Sequence, residues 1–245
     1  MNTNTRVIKN FATQYNKLQA EYGTEMAELN GFDDSQLSYT DFIDNFINEN
    51  IKFNDFEFAR VNNYQYRSNN KAQGLENILY ICPHCEKVGT MYSKGNYFTC
   101  DCGYQVEFGS DGFFHPSQKE LVFDNVLDWD KWQKGIWKDK VLGTPDGELI
   151  FEEKEQPVYT LVKRKKVELS DDAILRLYKD RFEILLNKNE TITFPIDKLK
   201  LVLNVSVESV MFFDGERFIY VKSKNPRAAA KYVAAWRYLI GKDYK

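Results

Sequence analysis

The sequence predicts an α+β protein with N-terminal helices, a short cysteine-rich ribbon, and an antiparallel β domain that ends in a helix. Apolar residues in the first fifty positions recur at three- and four-residue spacing, which is typical of amphipathic helices. All four cysteines fall between positions 82 and 102, and short strand-like runs separated by turn residues follow from position 149. These observations divide the chain into a helical region (1–74), a ribbon with an attached helix (75–140) and a β domain (148–243).

The composition is that of a folded protein, with 43% hydrophobic and 15% aromatic residues in a chain of 245. No apolar run approaches the roughly 20 residues that cross a bilayer. A signal peptide requires an apolar segment near its start, and no such segment follows the polar residues 1–5. We therefore expect a cytoplasmic protein that is at most peripheral at the inner membrane face. The formal net charge of -3 argues against nucleic-acid binding by overall electrostatics.

Two amphipathic helices are predicted ahead of the cysteines. The first covers about residues 5 to 22, where aromatic and aliphatic side chains form one stripe. The second begins at Ser38, with Asp41 three positions further on in a capping-box-like start. A polar, asparagine-rich stretch from Asn62 to Gln73 then predicts a linker that leads into the cysteine region.

Two tight cysteine pairs carry the most specific chemistry in the sequence. Two such pairs separated by a hairpin deliver four thiolates to one point, which is the ligand set of a structural zinc ribbon. Residues 91–92 and 97–99 are predicted strands, and residues 93–96 supply the turn, with Gly95 free to adopt a positive φ. Iron in a rubredoxin-like site uses the same four ligands, so the spacing leaves Zn2+ and iron open. The predicted metal ligands are Cys82, Cys85, Cys100 and Cys102.

Disulfide bonding is the alternative interpretation of the cysteines. A reducing cytoplasm disfavours it, and a bridge between Cys100 and Cys102 would close a small, strained ring. A thioredoxin-type pair would open a helix, whereas Gly89 and a hairpin follow the first pair here. His84 lies inside that pair, and we expect it to face solvent because four sulfur ligands are available.

A tryptophan-bearing helix is predicted after the ribbon. Its apolar face carries Trp129, Trp132 and Ile136, and three of the four tryptophans of the chain fall within nine residues here. An aromatic cluster beside a metal knuckle is favoured as a packing surface over a binding box. Start signals for this helix occur at Asp124, Asn125 and Asp128.

The β domain has the outline of a pleckstrin-homology-like (PH-like) barrel. Eight short strand-like runs between residues 149 and 221 alternate with turn signals such as Asp214-Gly215. A final helix follows, with Asn225 as its cap and Pro226 in its first turn. The predicted order, about seven antiparallel strands followed by one C-terminal helix, matches that of a PH-like barrel.

One basic run lies between two of the predicted strands. A solvated hairpin turn is the favoured interpretation, because short charge runs commonly do no more than solubilise a surface. Contact with anionic lipid headgroups or with a phosphate backbone is the alternative. The run consists of Lys163, Arg164, Lys165 and Lys166.

Several strings resemble the C-terminal extension of bacterial lysophospholipid acyltransferases, the 1-acylglycerol-3-phosphate acyltransferase type of Gram-positive bacteria. In that extension a zinc ribbon is similarly followed by a tryptophan-bearing helix and a small β domain. The resemblance covers about residues 75 to 240, and it implies a connection with phospholipid metabolism. The strings that carry it include Leu79-Tyr80-Ile81-Cys82-Pro83-His84-Cys85, Asp128-Trp129-Asp130-Lys131-Trp132-Gln133 and Tyr220-Val221-Lys222-Ser223.

The sequence departs from those enzymes at their catalytic motif. They carry a histidine and an aspartate separated by four residues, whereas here Gly89 stands at that distance after His84, and Glu120 after His115. A general base also needs an orienting group and a positioned substrate, so we predict no catalytic residue.

The sequence therefore favours a non-catalytic zinc-binding accessory or regulatory module that works with an acyltransferase domain or with anionic membrane lipids. One alternative is a nucleic-acid-binding zinc ribbon, in which Tyr92, Tyr97 and Phe98 would stack on bases. Only two lysines supply positive charge there, so nucleic acid is the less favoured partner. The other alternative is a protein-interaction adaptor.

Overall fold

The protein is described from a computed structural model, which covers residues 55–118, 120–163, 165–187, 190–222 and 228–242. The two predicted N-terminal helices and the predicted helix start at Asn225 and Pro226 lie outside these ranges. The described residues belong to one compact unit, Asp55–Lys245. Their helices are α1 (Asp55–Asn62), α2 (Val126–Gly143) and α3 (Ala230–Leu239). Their strands are β1 (Met91–Lys94), β2 (Tyr97–Cys100), β3 (Gln105–Phe108), β4 (Phe114–Pro116), β5 (Phe151–Val162), β6 (Lys165–Leu177), β7 (Arg181–Asn187), β8 (Glu190–Pro195), β9 (Leu201–Ser206), β10 (Ser209–Phe213) and β11 (Phe218–Lys222).

The cysteine region forms a four-stranded antiparallel sheet in the order β1-β2-β3-β4. The predicted hairpin is confirmed: β1 pairs with β2, and Gly95 in the turn has φ 62°. Strands β3 and β4 extend the sheet beyond the prediction. Their inward side chains complete a small aromatic core, in which Phe98, Phe114 and Trp129 are almost fully buried. The ribbon therefore has an apolar core of its own beside its cysteines.

The second sheet has seven antiparallel strands in the order β8-β7-β6-β5-β11-β10-β9. A four-strand meander, β5 to β8, joins a three-strand meander, β9 to β11, where the first strand pairs with the last. Side chains of α3, including Tyr232 and Ala235, are buried in the same cluster as the inward residues of both meanders. This strand order with a closing C-terminal helix is the PH-like arrangement, so the predicted α+β fold class is confirmed.

Strands β5 and β6 are longer than the sequence predicted. One 12-residue strand, β5, runs from Phe151, the last residue of the first predicted run, to the end of the run that starts at Val158. Lys165 and Lys166 already lie within the 13-residue β6. Of the described residues of the basic run, Lys163 lies in a turn and has φ 49°. The hairpin extends beyond its neighbouring strands, so both of its faces are exposed to solvent. Its residues are therefore mostly polar and do not show the apolar pattern from which strands are predicted.

Helix α2 joins the ribbon core to the PH-like core. It begins where the sequence predicted, because the Asn125 side chain accepts a hydrogen bond from the Asp128 N–H at 2.9 Å. Trp129 donates from Nε1 to the Ile81 carbonyl at 2.9 Å, and Trp137 donates to the Lys231 carbonyl at 2.8 Å. Both indoles are fully buried, so they pack the interior. Trp132 and Ile136 of the predicted apolar face are only half-buried.

A buried glutamine on α2 fixes the chain that enters the ribbon. Gln133 is fully buried, and its Oε1 accepts hydrogen bonds from the Tyr80 and Ile81 N–H groups at 2.9 and 3.3 Å. Its Nε2 donates to the Ile78 carbonyl at 2.8 Å. One side chain therefore satisfies three backbone groups just ahead of Cys82.

Replacing Gln133 by leucine is expected to lower the free energy of unfolding by about 2–3 kcal/mol, because buried backbone groups lose their partners. Urea denaturation followed by tryptophan fluorescence measures the change. Gly135→Ala on the same helix is the matched control, since a Cβ there meets open space and alanine raises helix stability by about 0.5–1 kcal/mol. A loss no greater than that of an exposed substitution would contradict this role for Gln133.

None of the helices in the described ranges is long and apolar enough to cross a membrane.

Candidate metal centre

The first cysteine pair lies in a tight loop held by its own backbone. The Cys82 N–H donates to the Lys87 carbonyl at 3.2 Å, and the Glu86 N–H donates to the Cys82 carbonyl at 2.9 Å. Glu86 has φ 56°, an uncommon conformation for a residue with a side chain. An antiparallel bridge between Ile81 and Val88 closes the loop. This conformation directs both thiols of the pair to the same side.

The second pair lies in the turn between β2 and β3. The Cys100 N–H donates to the Tyr104 carbonyl at 2.8 Å, and the Gly103 N–H donates to the Cys100 carbonyl at 2.9 Å. Gly103 has φ 83°, which a side chain would strain. The Cys102 N–H also points at the Cys100 sulfur at 3.5 Å, a contact that stabilises negative charge on that sulfur.

The four thiols form a compact cluster that can hold a metal ion. All four sulfurs lie within 4.8 Å of one another. The Cys82–Cys102 and Cys85–Cys100 sulfur separations are both 3.8 Å. Two ligands of a tetrahedral site with metal–sulfur bonds of about 2.3 Å are separated by about 3.8 Å. The sulfurs are thus arranged at the corners of a site of the right size for a metal–thiolate centre.

The same distances are incompatible with disulfide bonds in this arrangement. All four cysteines are free thiols, and their closest separations far exceed the roughly 2.05 Å of a sulfur–sulfur bond.

The surroundings of the thiols give them unequal acidities. Burial raises the pKa of Cys82 and of Cys100, so these two thiols tend to keep their protons. Burial also opposes ionisation of Cys102, but the Tyr104 N–H and the neighbouring thiols outweigh it and lower its pKa to about 6. Near neutral pH a metal cation therefore finds Cys102 already ionised, but it must displace protons from Cys82 and Cys100. Its binding consequently weakens as the pH falls.

The two histidines lie outside the sulfur cluster. His84 is exposed, as predicted, and its ring stacks on Tyr104 with Nδ1 3.9 Å from the Cys102 sulfur. His115 donates from Nε2 to Asp111 at 3.0 Å. Burial raises the pKa of Asp111, but the hydrogen bond from His115 outweighs it and the net shift is downward. Glu120 was compared with the catalytic aspartate because of its spacing from His115. In the structure it lines a shallow surface depression together with His84.

The ribbon exposes only two of the three aromatic side chains that were predicted to stack on bases. Tyr92 and Tyr97 are exposed, at 45% and 39%. Phe98 is fully buried between Phe114 and Trp129, so the suggestion that it stacks on bases is wrong. Its place in the ribbon core leaves it no free face.

The metal-ligand loop contacts the PH-like core directly. A Cβ at Gly89 would lie 3.7 Å from the Phe151 ring and 3.8 Å from Glu153 Oε1. Glu153 is buried, where it accepts a hydrogen bond from Tyr232 at 2.5 Å and pairs with Lys231 Nζ at 3.0 Å. Sequence reasoning missed this ion pair, because a lysine and a glutamate 78 positions apart carry no signal of mutual burial.

The basic run lies at the end of a projecting hairpin. Beyond Thr160 no third strand of the described residues pairs with β5, and β6 pairs with β7 only from Ile174 onward. We call residues 161–169 the projecting hairpin. Its side chains at Lys163, Lys165 and Lys166 are exposed, and Arg164 lies outside the described residues.

The projecting hairpin also exposes aliphatic side chains beside its lysines. The exposed fractions of Leu161, Val162 and Val167 are 41%, 50% and 41%. Lys166 Nζ lies 3.9 Å from the centre of the Tyr159 ring. The result is a narrow surface that combines apolar contact area with positive charge.

Comparison with known proteins assigns this chain to no family. No protein-family model matches the sequence. No curated protein matches it either. Among solved structures, the Vps36 N-terminal PH domain is similar to 38% of this chain and 80% of its own, with a TM-score of 0.32 and 13% sequence identity. The strand order described above defines the PH-like fold independently of that similarity.

Proposed function

We propose that the chain is a non-catalytic accessory module in which a zinc-bound ribbon supports a PH-like domain that binds anionic phospholipid at the inner membrane face. The projecting hairpin carries this proposal, because it joins exposed aliphatic side chains to exposed lysines. Aliphatic side chains gain free energy on entering the headgroup region, and each lysine near an anionic surface contributes about 1 kcal/mol. Helix α2 packs against the base of the same sheet, where the Trp137 and Phe151 rings are in contact.

Zinc is the metal that we assign to the four cysteines. An all-thiolate, closed set of four ligands is typical of structural zinc, and the site leaves no position for a substrate. When bound, a divalent ion would offset two of the four thiolate charges and would link the loop of Cys82 and Cys85 to the loop of Cys100 and Cys102. Iron would use the same ligands, and metal analysis of the purified protein distinguishes the two.

Association with a lysophospholipid acyltransferase is the second part of the proposal. Its support is the resemblance of residues 75 to 240 to the extension of those enzymes. A membrane-bound accessory module would hold such an enzyme beside its lipid substrate. Co-purification of 1-acylglycerol-3-phosphate acyltransferase activity with the tagged chain would support this part, and a preparation without that activity would count against it.

Reversing the charge of the projecting hairpin is expected to abolish binding to anionic liposomes. With Lys163, Lys165 and Lys166 all changed to glutamate, three contributions of about 1 kcal/mol each become repulsive, so binding should weaken at least about a hundredfold. Co-sedimentation with phosphatidylglycerol liposomes measures the effect, with phosphatidylcholine liposomes as the neutral reference.

The matched control moves the same charge change to another surface. Lys94, Lys131 and Lys140 are also exposed, but they lie on the ribbon and on α2. Their replacement by glutamate should leave liposome binding close to that of the wild type. Equal loss in both triple variants, or equal binding to both kinds of liposome, would refute the assignment of lipid binding to the hairpin. Salt-sensitive binding to single-stranded nucleic acid without liposome binding would favour the nucleic-acid alternative.

A further inference from the structure

The two edges of the seven-stranded sheet are protected very differently. Edge strand β8 begins with the charged Glu190 and ends with Pro195, which both discourage pairing with another strand. Edge strand β9 has the sequence Leu-Val-Leu-Asn-Val-Ser, without a charge or a proline. No strand of the described residues lies on its free side.

The side chains of β9 are apolar where the fold does not need them to be. Val202 faces the core and is 2% exposed, and it packs in the same cluster as α3. The opposite face carries the β9 stripe, which is Leu201, Leu203 and Val205, with exposed fractions of 36%, 37% and 53%. A solvated edge strand ordinarily alternates apolar with polar residues. Here the outward face is apolar throughout, whereas Asn204 and Ser206 follow Val202 on the inward face.

The apolar surface continues inward from the β9 stripe. Leu201 lies opposite Phe213 on β10, which in turn lies opposite Phe218 on β11. The two phenylalanine rings stack with centroids 4.2 Å apart, and Phe218 remains 38% exposed. The edge thus borders a larger apolar sheet face, which a strand added at β9 would extend.

We infer that β9 pairs with β9 of a second copy of this chain, antiparallel and about a two-fold axis. The stripe is self-complementary, because an axis at Leu203 places Leu201 of one copy opposite Val205 of the other and keeps all apolar side chains on one face. Pairing would satisfy the outward backbone groups of both edges and join the two sheets into one.

Charges at the two ends of β9 favour the same antiparallel direction. Lys198 and Lys200 precede the strand and are exposed, together with the exposed Asp197. Glu208 follows the strand, is partly exposed and lies 3.7 Å from Lys222 Nζ. In an antiparallel pair, the basic end of each β9 strand lies next to the acidic end of the other, so the favourable contact occurs at both ends of the pair. A parallel partner would place like charges together at both ends, which is unfavourable. Helix α3 packs in the same cluster as Val202, and no strand of the described residues hydrogen-bonds to the free side of β9.

Sedimentation of the metal-loaded full-length chain tests the inference. The wild type is expected to show a concentration-dependent equilibrium between monomer and dimer. In Leu203→Lys, the two-fold axis brings the two new lysines together and each copy loses an apolar contact, so the dimer dissociation constant should rise at least about a hundredfold. Thr193→Lys, at an exposed position on edge strand β8, should dimerise like the wild type.

Circular dichroism and metal content show whether each variant is folded. A wild type that sediments only as a monomer at every concentration would overturn the inference, and the edge would then be left to a different chain. A Leu203→Lys variant that dimerises as strongly as Thr193→Lys would overturn it as well. Neither outcome bears on liposome binding or on the metal, because neither depends on β9.

Discussion

Replacing Cys82 by serine is expected to abolish stoichiometric metal binding and to unfold the ribbon. Structural zinc sites contribute about 10–16 kcal/mol of binding free energy at neutral pH, and this energy is also folding energy. The ribbon has only four short strands and a small aromatic core, so it cannot replace that contribution. Metal analysis should show loss of the ion, and limited proteolysis should show new cleavage between residues 80 and 105.

A chelator applied to the wild type should reproduce the same cleavage pattern. His84→Ala is the control, because His84 lies inside the same loop but is exposed and outside the sulfur cluster. This variant should keep its metal and its resistance to protease. A purified wild type with four reactive thiols and no stoichiometric zinc or iron would show that the metal assignment is wrong.

Lowering the pH should release the metal ion, because the cysteine ligands become protonated. Burial raises the pKa of Cys82 and Cys100, so protons compete strongly for these two sulfurs as the pH falls. The exposed Cys102, with its pKa lowered to about 6, is the last to be protonated. Metal binding should therefore weaken as the pH falls, and loss of the ion should unfold the ribbon.

Local signals in the sequence predicted the parts of this structure that local chemistry determines. The paired cysteines, the turn at Gly95 and the start of α2 at Asn125 each depend on residues only a few positions apart. The order of short strands followed by a helix was sufficient for the PH-like fold class. These features need no knowledge of what the rest of the chain does.

The features that the sequence did not reveal depend on distant partners or on unusual exposure. Strands β5 and β6 were predicted too short, because the projecting hairpin is exposed to solvent on both faces and shows no alternation of apolar and polar residues. Gln133 and Lys231 are polar residues on helices, which ordinarily indicates solvent. Both are fully buried because backbone or carboxylate partners tens of positions away satisfy them.

Replacing Lys231 by methionine is expected to lower the free energy of unfolding by about 3–5 kcal/mol, because removal of one partner leaves a buried charge uncompensated. Lys231 and Glu153 have side chains only 1% and 2% exposed, with Nζ 3.0 Å from the carboxylate. Lys231 also donates to the Ala228 carbonyl at 3.1 Å at the start of α3. Urea denaturation of the metal-loaded protein measures the loss, and Lys140→Met on exposed α2 surface is the matched control.

The double variant Lys231→Met, Glu153→Gln separates charge from packing. It removes both charges together, so it should be more stable than Lys231→Met alone even though it carries one more substitution. If the two changes instead add, the lysine acts by filling space and the ion pair contributes little. Because Glu153 lies against Gly89 in the metal-ligand loop, Lys231→Met should also make the ribbon lose its metal to a chelator faster than the control does. That result would show that the ion pair of the PH-like core supports the metal centre as well as its own sheet.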